Sequence, residues 1–188
     1  MMIRLVLIGI FFVSFGYGQN KNNTEQENSY VEIESKYFNN LYSINDSIYR
    51  SEQPSKSGFK ELETSGIKTI INLRRLRNDI KKAEDTELQL EHIPLATKYI
   101  IEDDIIEILQ LIQSVEKPLL IHCWHGSDRT GVMIAAYRII VENWTKEEAI
   151  KEFKIDEFGY HEKRYPNLIS LLENLDVANI KNQLNIKE

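Results

Sequence analysis

Cys123 is the only cysteine of the chain, and Arg129 follows it after five residues, inside the segment LLIHCWHGSDRTG at 119–131. One cysteine can form neither an intramolecular disulfide nor a multi-thiolate zinc or iron–sulfur site. It is therefore an inert core residue or a reagent. The segment reads as a buried strand, a short loop and the start of a buried helix. Backbone N–H groups of such a loop and of the first helical turn point inward, and the helix dipole adds positive potential there. A phosphate monoester fits that ring, with Arg129 gripping two oxygens through its planar fork. The same field favours a thiolate at Cys123, a good nucleophile towards phosphorus. Gly126 permits a turn that a Cβ would obstruct, and Gly131 permits close packing of loop on helix. Thr130 places a hydroxyl where it can hydrogen-bond the sulfur, and the loop positions Trp124, His125, Gly126 and Ser127 surround the bound group. Trp124 and His125 face the mouth, where they could stack on an aromatic or sugar ring. His122 is expected to orient the loop. His122 and His125 flank the thiol at metal-like spacing, but the wider ligand set is missing, so no metal site is expected.

The elements that must hold this loop are legible as patterns. Residues 41–45 and 47–50 read as short strands around a turn at Asp46. Residues 55–65 read as a helix capped by Ser55 and stopped at Gly66. IKTIINL at 67–73 is a buried strand, 79–88 a charged helix, and 90–95 a short strand. Residues 103–115 carry a wide apolar stripe, 131–142 are apolar on nearly every side, and 145–153 open with the capping box Thr145/Glu148. Residues 165–175 form the last packed helix, and 177–188 read as a tail that frays. Strands alternate with helices, so the expectation is an α/β domain over 30–176 with a central, mostly parallel sheet flanked by helices.

The 188 residues allow one domain plus a tail, and the hydrophobic share of 42% can bury a real core. Lys and Arg total 23 against 29 Asp and Glu, a net charge of -6, which argues against non-specific binding to nucleic acid or anionic membrane. Arg4, an apolar run over 5–15 and the small residues Gly16 and Gly18 have the order of a secretory signal peptide over 1–18. The run is short of the about 20 apolar residues a bilayer span needs. An exported location, periplasmic or secreted, is expected, with an uncleaved anchor as the alternative. Residues 19–29 are polar and aperiodic, as in a disordered linker.

HCWHGSDRTG resembles the HCxxGxxR[ST] signature of the cysteine-dependent protein tyrosine and dual-specificity phosphatases. YRSEQP at 49–54, followed by IKTIINLR, resembles the start of a bacterial branch of that superfamily. The similarity covers roughly residues 40–175. It implies a two-step reaction through a phosphocysteine at Cys123, needing no metal or other cofactor. Members commonly take the leaving-group proton from an Asp on a loop about thirty residues before the cysteine. Here that region reads HIPLATK at 92–98, without a carboxylate, and Asp103 and Asp104 are accounted for by the start of a helix. Asp128 is the better candidate, since an Asp before the Arg resembles the CxxGxDR loops of myotubularin-type lipid phosphatases and bacterial triple-specificity phosphatases. The bland alternative is that Asp128 salt-bridges Arg129 or another base. Arg74, Arg75 and Arg77 follow a buried strand and could hold further phosphates, Arg74 first among them, or form a solvated face. Lys98 sits at the expected rim, and Asp156, Glu157 and His161 lie in a late loop that could border the site. Arg50 and Gln53 are expected to fix the opening turn. The implied substrates are phosphoproteins, phosphoinositides or inositol phosphates. Two rivals stay open: a catalytically inactive phosphate-binding module of the same fold, and a thiol enzyme such as an arsenate reductase, which would normally recruit further thiols.

Overall fold

The computed structural model describes residues 29–187. The expected signal peptide, and the expected linker up to residue 28, lie outside the described residues. Six strands, β1 (Val31–Glu32), β2 (Tyr42–Asn45), β3 (Ile48–Ser51), β4 (Thr69–Arg74), β5 (Gln89–Leu95) and β6 (Leu119–His122), form one sheet in the order β1-β2-β3-β6-β4-β5. The β1/β2 and β2/β3 pairs are antiparallel, whereas β3, β6, β4 and β5 run parallel. In register, β6 lies between β3 and β4, so Leu120 faces Tyr49 on one side and Ile70 on the other.

Two-residue alternation on the central strands divides the core. Ile70 and Leu120 point to one face and pack with Phe59 and Leu62 of α1 (Lys56–Thr64). Ile71, Leu73, Leu119 and Ile121 point to the other face, covered by α2 (Glu102–Ser114), α3 (Asp128–Ile140), α4 (Lys146–Phe153), α5 (Asn167–Glu173) and α6 (Val177–Gln183). Each such Ile or Leu contributes about 1.5–3 kcal/mol on burial. Helix α3 is buried at ten of its thirteen residues, as its all-round apolar sequence requires. It begins at Asp128, so Asp128, Arg129 and Thr130 form its first turn rather than the loop before it. The caps are as read from sequence: Ser55 accepts from Gly58 N–H, and Thr145 and Glu148 bond reciprocally.

Two expectations fail. Residues 79–88 are not a helix but a series of turns, with Lys82 and Ala83 N–H donating to the Asp79 carbonyl and Thr86 N–H to that of Ala83. Only two apolar residues, Ala83 and Leu88, bury there, too few for an apolar stripe, and Glu84 and Asp85 form ion pairs with Lys56 and Lys60 of α1. Residues 177–188, expected to fray, carry α6 instead, capped by Asp176 and seated by the buried Ile180 and Leu184. Among the described residues no helix is long and apolar enough to cross a membrane.

Candidate active site

β6 ends at His122 and α3 begins at Asp128, and the five residues between them make the loop. Four successive carbonyls there are each taken by a donor from outside. His122 Nδ1 lies 3.1 Å from the Cys123 oxygen, and Gln53 N–H donates to that of Trp124 at 3.1 Å. Asn40 Nδ2 donates to the His125 oxygen at 2.8 Å, and Arg50 Nη2 to that of Gly126 at 2.7 Å. In a trans peptide N–H and C=O point in opposite directions, so carbonyls held outward turn the amide hydrogens of the loop to its concave side. Gly126 makes the turn at φ +75°, and a Cβ there would meet the Ser51 carbonyl at 2.6 Å, so only glycine fits. Gly131 meets the ring of Phe153 on α4: the close approach is helix on helix, not loop on helix as expected.

Cys123 is the first residue of this loop and is buried, only 2% exposed. Arg129, in the first turn of α3, donates from Nη1 to the Leu73 carbonyl at 3.2 Å. Its Nε and the Thr130 hydroxyl are buried without a protein partner. Both keep hydrogen-bonding capacity to spare where buried polar groups are otherwise satisfied, as do Arg50 Nε and Asn40 Oδ1. Arg50 is fully buried, its guanidinium 3.9 Å from the Phe158 ring centre, and burial pushes it down to about 10, so it remains a cation at neutral pH.

Behind the loop lies a polar chain that the sequence did not reveal. His122 is 0% exposed and pairs through Nε2 with Asp79 Oδ2 at 2.8 Å. Gln53 Nε2 donates to the other Asp79 oxygen at 2.8 Å, and Gln53 Oε1 accepts from Arg74 Nη1. Burial works to raise the Asp79 carboxyl, but hydrogen bonds and the charge of His122 outweigh it and hold it below the usual value. Arg74 lies with its guanidinium 4.4 Å from the Trp124 ring centre. Trp124 itself is 53% exposed at the mouth, edge-on to His125. Glu52 accepts from Asn39 and Asn40 N–H, which places Asn40 against the loop. YRSEQP at 49–54 is thus the outer brace of the loop through Arg50, Glu52 and Gln53.

Asp128 does not pair with Arg129. Its carboxylate accepts from His161 N–H at 2.9 Å and lies 3.1 Å from His161 Nδ1. Of the late loop, His161 therefore reaches the site, while Asp156 and Glu157 form a 3-10 turn beside it. Tyr160, next to His161, is pushed up to about 12 by burial and by the charges of Glu162 and Asp128. Asp104 accepts from Ile101 N–H at the start of α2, its structural task as read from sequence. The three arginines after β4 part ways. Arg74 turns to Trp124; Arg75 joins Arg129, Lys98, Thr97, Tyr99 and Tyr165 around a cavity of about 230 Å³; Arg77 lies apart on the surface. Among the described residues no three His, Cys, Asp or Glu side chains gather as a metal ion would need.

Comparison with known proteins finds relatives in sequence and in fold. The chain is 29% identical over 122 residues to the dual specificity protein phosphatase TpbA of Pseudomonas aeruginosa, covering 64% of this chain and 56% of that one. It is 27% identical over 130 residues to an inositol diphosphatase of Arabidopsis thaliana, covering 61% and 60%. The chain thus spans little more than half the length of these curated relatives. The crystal structure of P. aeruginosa TpbA superposes with a TM-score of 0.76 at 23% identity, covering 85% of this chain and 99% of that one. The catalytic core of the PP-IP phosphatase Siw14 from S. cerevisiae superposes with a TM-score of 0.64 at 21% identity, covering 79% and 94%. Both share the α/β fold with its mostly parallel sheet. The sequence profile of the tyrosine phosphatase family matches residues 34–188, loop and braces included, and the chain belongs to that family.

Proposed function

We propose that the chain is a phosphomonoesterase that works through a phosphocysteine at Cys123. The observation that carries this reading is the set of four outward-held carbonyls, which aims the loop amides at one point above a buried thiol and beside Arg129. A phosphate dianion settles there on the amides, the helix terminus and the Arg129 guanidinium. Cys123 Sγ attacks phosphorus in line, the P–O bond to the leaving group breaks, and that oxygen takes a proton from Asp128. His161, bonded to both carboxylate oxygens, holds Asp128 in place. Water then attacks the phosphocysteine, Asp128 takes its proton back, and inorganic phosphate leaves with the thiolate restored. Neither step calls on a metal.

Substrates are phosphotyrosine in proteins or phosphorylated inositols, as the names of the relatives suggest. A second reading within this class is favoured by the cavity beside Arg129. Arg75 and Lys98 line it, so a substrate with a second phosphate next to the reacting one finds two further cations there. Export through residues 1–18 belongs to the same proposal and rests on their charged, apolar, small-residue order.

The test is phosphate release from phosphotyrosine peptides, phosphoinositides and inositol polyphosphates, wild type against Cys123→Ser. Release that depends on Cys123 upholds the reading. Absence of release from every substrate, with phosphate still bound, would establish the inactive binding module instead.

A further inference from the structure

His122 has no contact with solvent, and each of its ring nitrogens faces an oxygen. Nε2 lies 2.8 Å from Asp79 Oδ2 and Nδ1 lies 3.1 Å from the Cys123 carbonyl. A carbonyl oxygen can only accept, so Nδ1 must carry a hydrogen. At the other end a proton must also lie between Nε2 and the carboxyl, since two lone pairs at 2.8 Å would repel. Asp79 is bound for the ionised form: its second oxygen accepts from Gln53 Nε2, and its hydrogen bonds hold it below the usual carboxylate range. The proton between them therefore belongs to the imidazole.

We propose that Asp79 keeps His122 as a buried, doubly protonated imidazolium, and that Asp79 is through it a positioning residue for the thiolate of Cys123. The cation does two things at once. It draws the Cys123 carbonyl outward, which turns the next amide hydrogen towards the bound anion. It also places a fixed positive charge one residue from the sulfur, in a medium where water does not screen it. The other charged groups around Cys123 are Arg50 from β3, Arg74 from β4 and Arg129 and Asp128 from α3; Asp79 is the one that faces His122. Arginine keeps its charge through the working range, and Asp79 reaches Arg74 only through the neutral amide of Gln53, so the charge that changes with Asp79 is that of His122. The proposal rests on Cys123 as the nucleophile, but its test does not need turnover.

Because Cys123 is the only cysteine, alkylation by iodoacetamide followed by intact mass reports its thiolate alone. Asp79→Asn keeps the size of the side chain and can still accept from Nε2–H, but it no longer holds the second proton on the ring. The expected result is an alkylation midpoint about one pH unit higher, which is about a tenfold slower reaction below it, with the acidic limb of kcat/KM displaced by the same amount. An unchanged midpoint in a folded variant overturns the proposal. Nitrogen-15 NMR of the imidazole in the wild-type protein decides independently, even should the variant fail to fold. Both His122 ring nitrogens protonated at pH 7.5 is the expected pattern, and a neutral tautomer overturns it. If alkylation and NMR behave as expected while no phosphate is released from any substrate, the function proposed above falls and the role of Asp79 stands.

Discussion

Gly131 belongs to the loop signature, yet the structure gives it a packing task that can be separated from chemistry. A Cβ at Gly131 would lie 2.4 and 2.6 Å from two carbons of the Phe153 ring, where ordinary carbon contacts run at about 3.5–4.0 Å. The ring has little room to retreat, for Phe153 is buried and its ring centre lies 4.1 Å from that of Tyr160. Gly131→Ala should therefore destabilise the fold by about 1–3 kcal/mol, the usual cost of overpacking. Phe153→Ala removes a buried ring and should cost about 3–5 kcal/mol. In the double variant the new methyl group enters the space the ring has left, so the clash disappears and part of the cavity is filled. The double variant should be less destabilised than the sum of the singles by about 1–3 kcal/mol. Urea unfolding at equilibrium measures all four corners of this cycle, and an unchanged m-value keeps the comparison two-state. In thermal melts each kcal/mol corresponds to about 2–4 °C for a chain of this size. Strict additivity would refute the reasoning, because the contact between Gly131 and Phe153 would then carry none of the cost.

Other variants test the remaining parts of the site. Asp128→Asn should slow release from alkyl phosphates by at least about a hundredfold, within the range for a lost general acid, and far less from nitrophenyl phosphate, whose leaving group needs little protonation. His161→Ala should reproduce a weaker version of the same split, and stopped-flow comparison of the two leaving groups reads both. Arg75→Ala combined with Lys98→Ala should raise KM about tenfold for substrates with adjacent phosphates and leave monophosphates little changed, as steady-state kinetics on matched pairs would show. Asp79 is held below the ordinary carboxylate value, so its stabilisation is complete above about pH 4 and is lost as pH falls through the lowered value. Acid titration of stability should accordingly show the wild type losing its advantage over Asp79→Asn as pH falls below about pH 4.

What could be read from sequence was whatever local pattern dictates. IKTIINL and LLIH are apolar runs that only a covered strand can use. Ser55 and Thr145 announce their helices within one turn of chain. The loop between β6 and α3 and the first turn of α3 are local as well, so Cys123, Gly126 and Arg129 could be placed from their spacing together with the strand and the His, glycines and Thr around them. Asp79 could not. Its partner His122 lies 43 residues away, and an Asp at the head of a charged stretch looks like the start of a helix. Asn40 meets His125 across 85 residues, so its identity as a brace exists only in three dimensions. Helix α6 was hidden for another reason: its apolar content, with Leu184 just after it, is little more than Val177 and Ile180, enough to seat two turns against a finished core but too little to stand out of an Asn- and Lys-rich end.

The acidic chain nevertheless buries cations, and the way each is balanced separates structure from function. Arg138 is held by Glu142 and Glu152, and hydrogen bonds to them outweigh burial and raise it further. His122 is held by Asp79. Arg50 has no such partner: among the described residues no carboxylate lies within salt-bridge distance, and what meets it is the Gly126 carbonyl and the face of Phe158. A buried charge without a counter-ion costs several kcal/mol. Offsetting it with a carboxylate would fill the field that the loop needs, because an Asp or Glu beside Arg50 would repel both a thiolate at Cys123 and a phosphate above it. In the proposed reaction the counter-charge of Arg50 is the sulfur in the resting enzyme and the phosphoryl group during turnover. The net charge of -6 is then no obstacle to binding anions, since the positive potential is confined to one loop and the residues that brace it from behind.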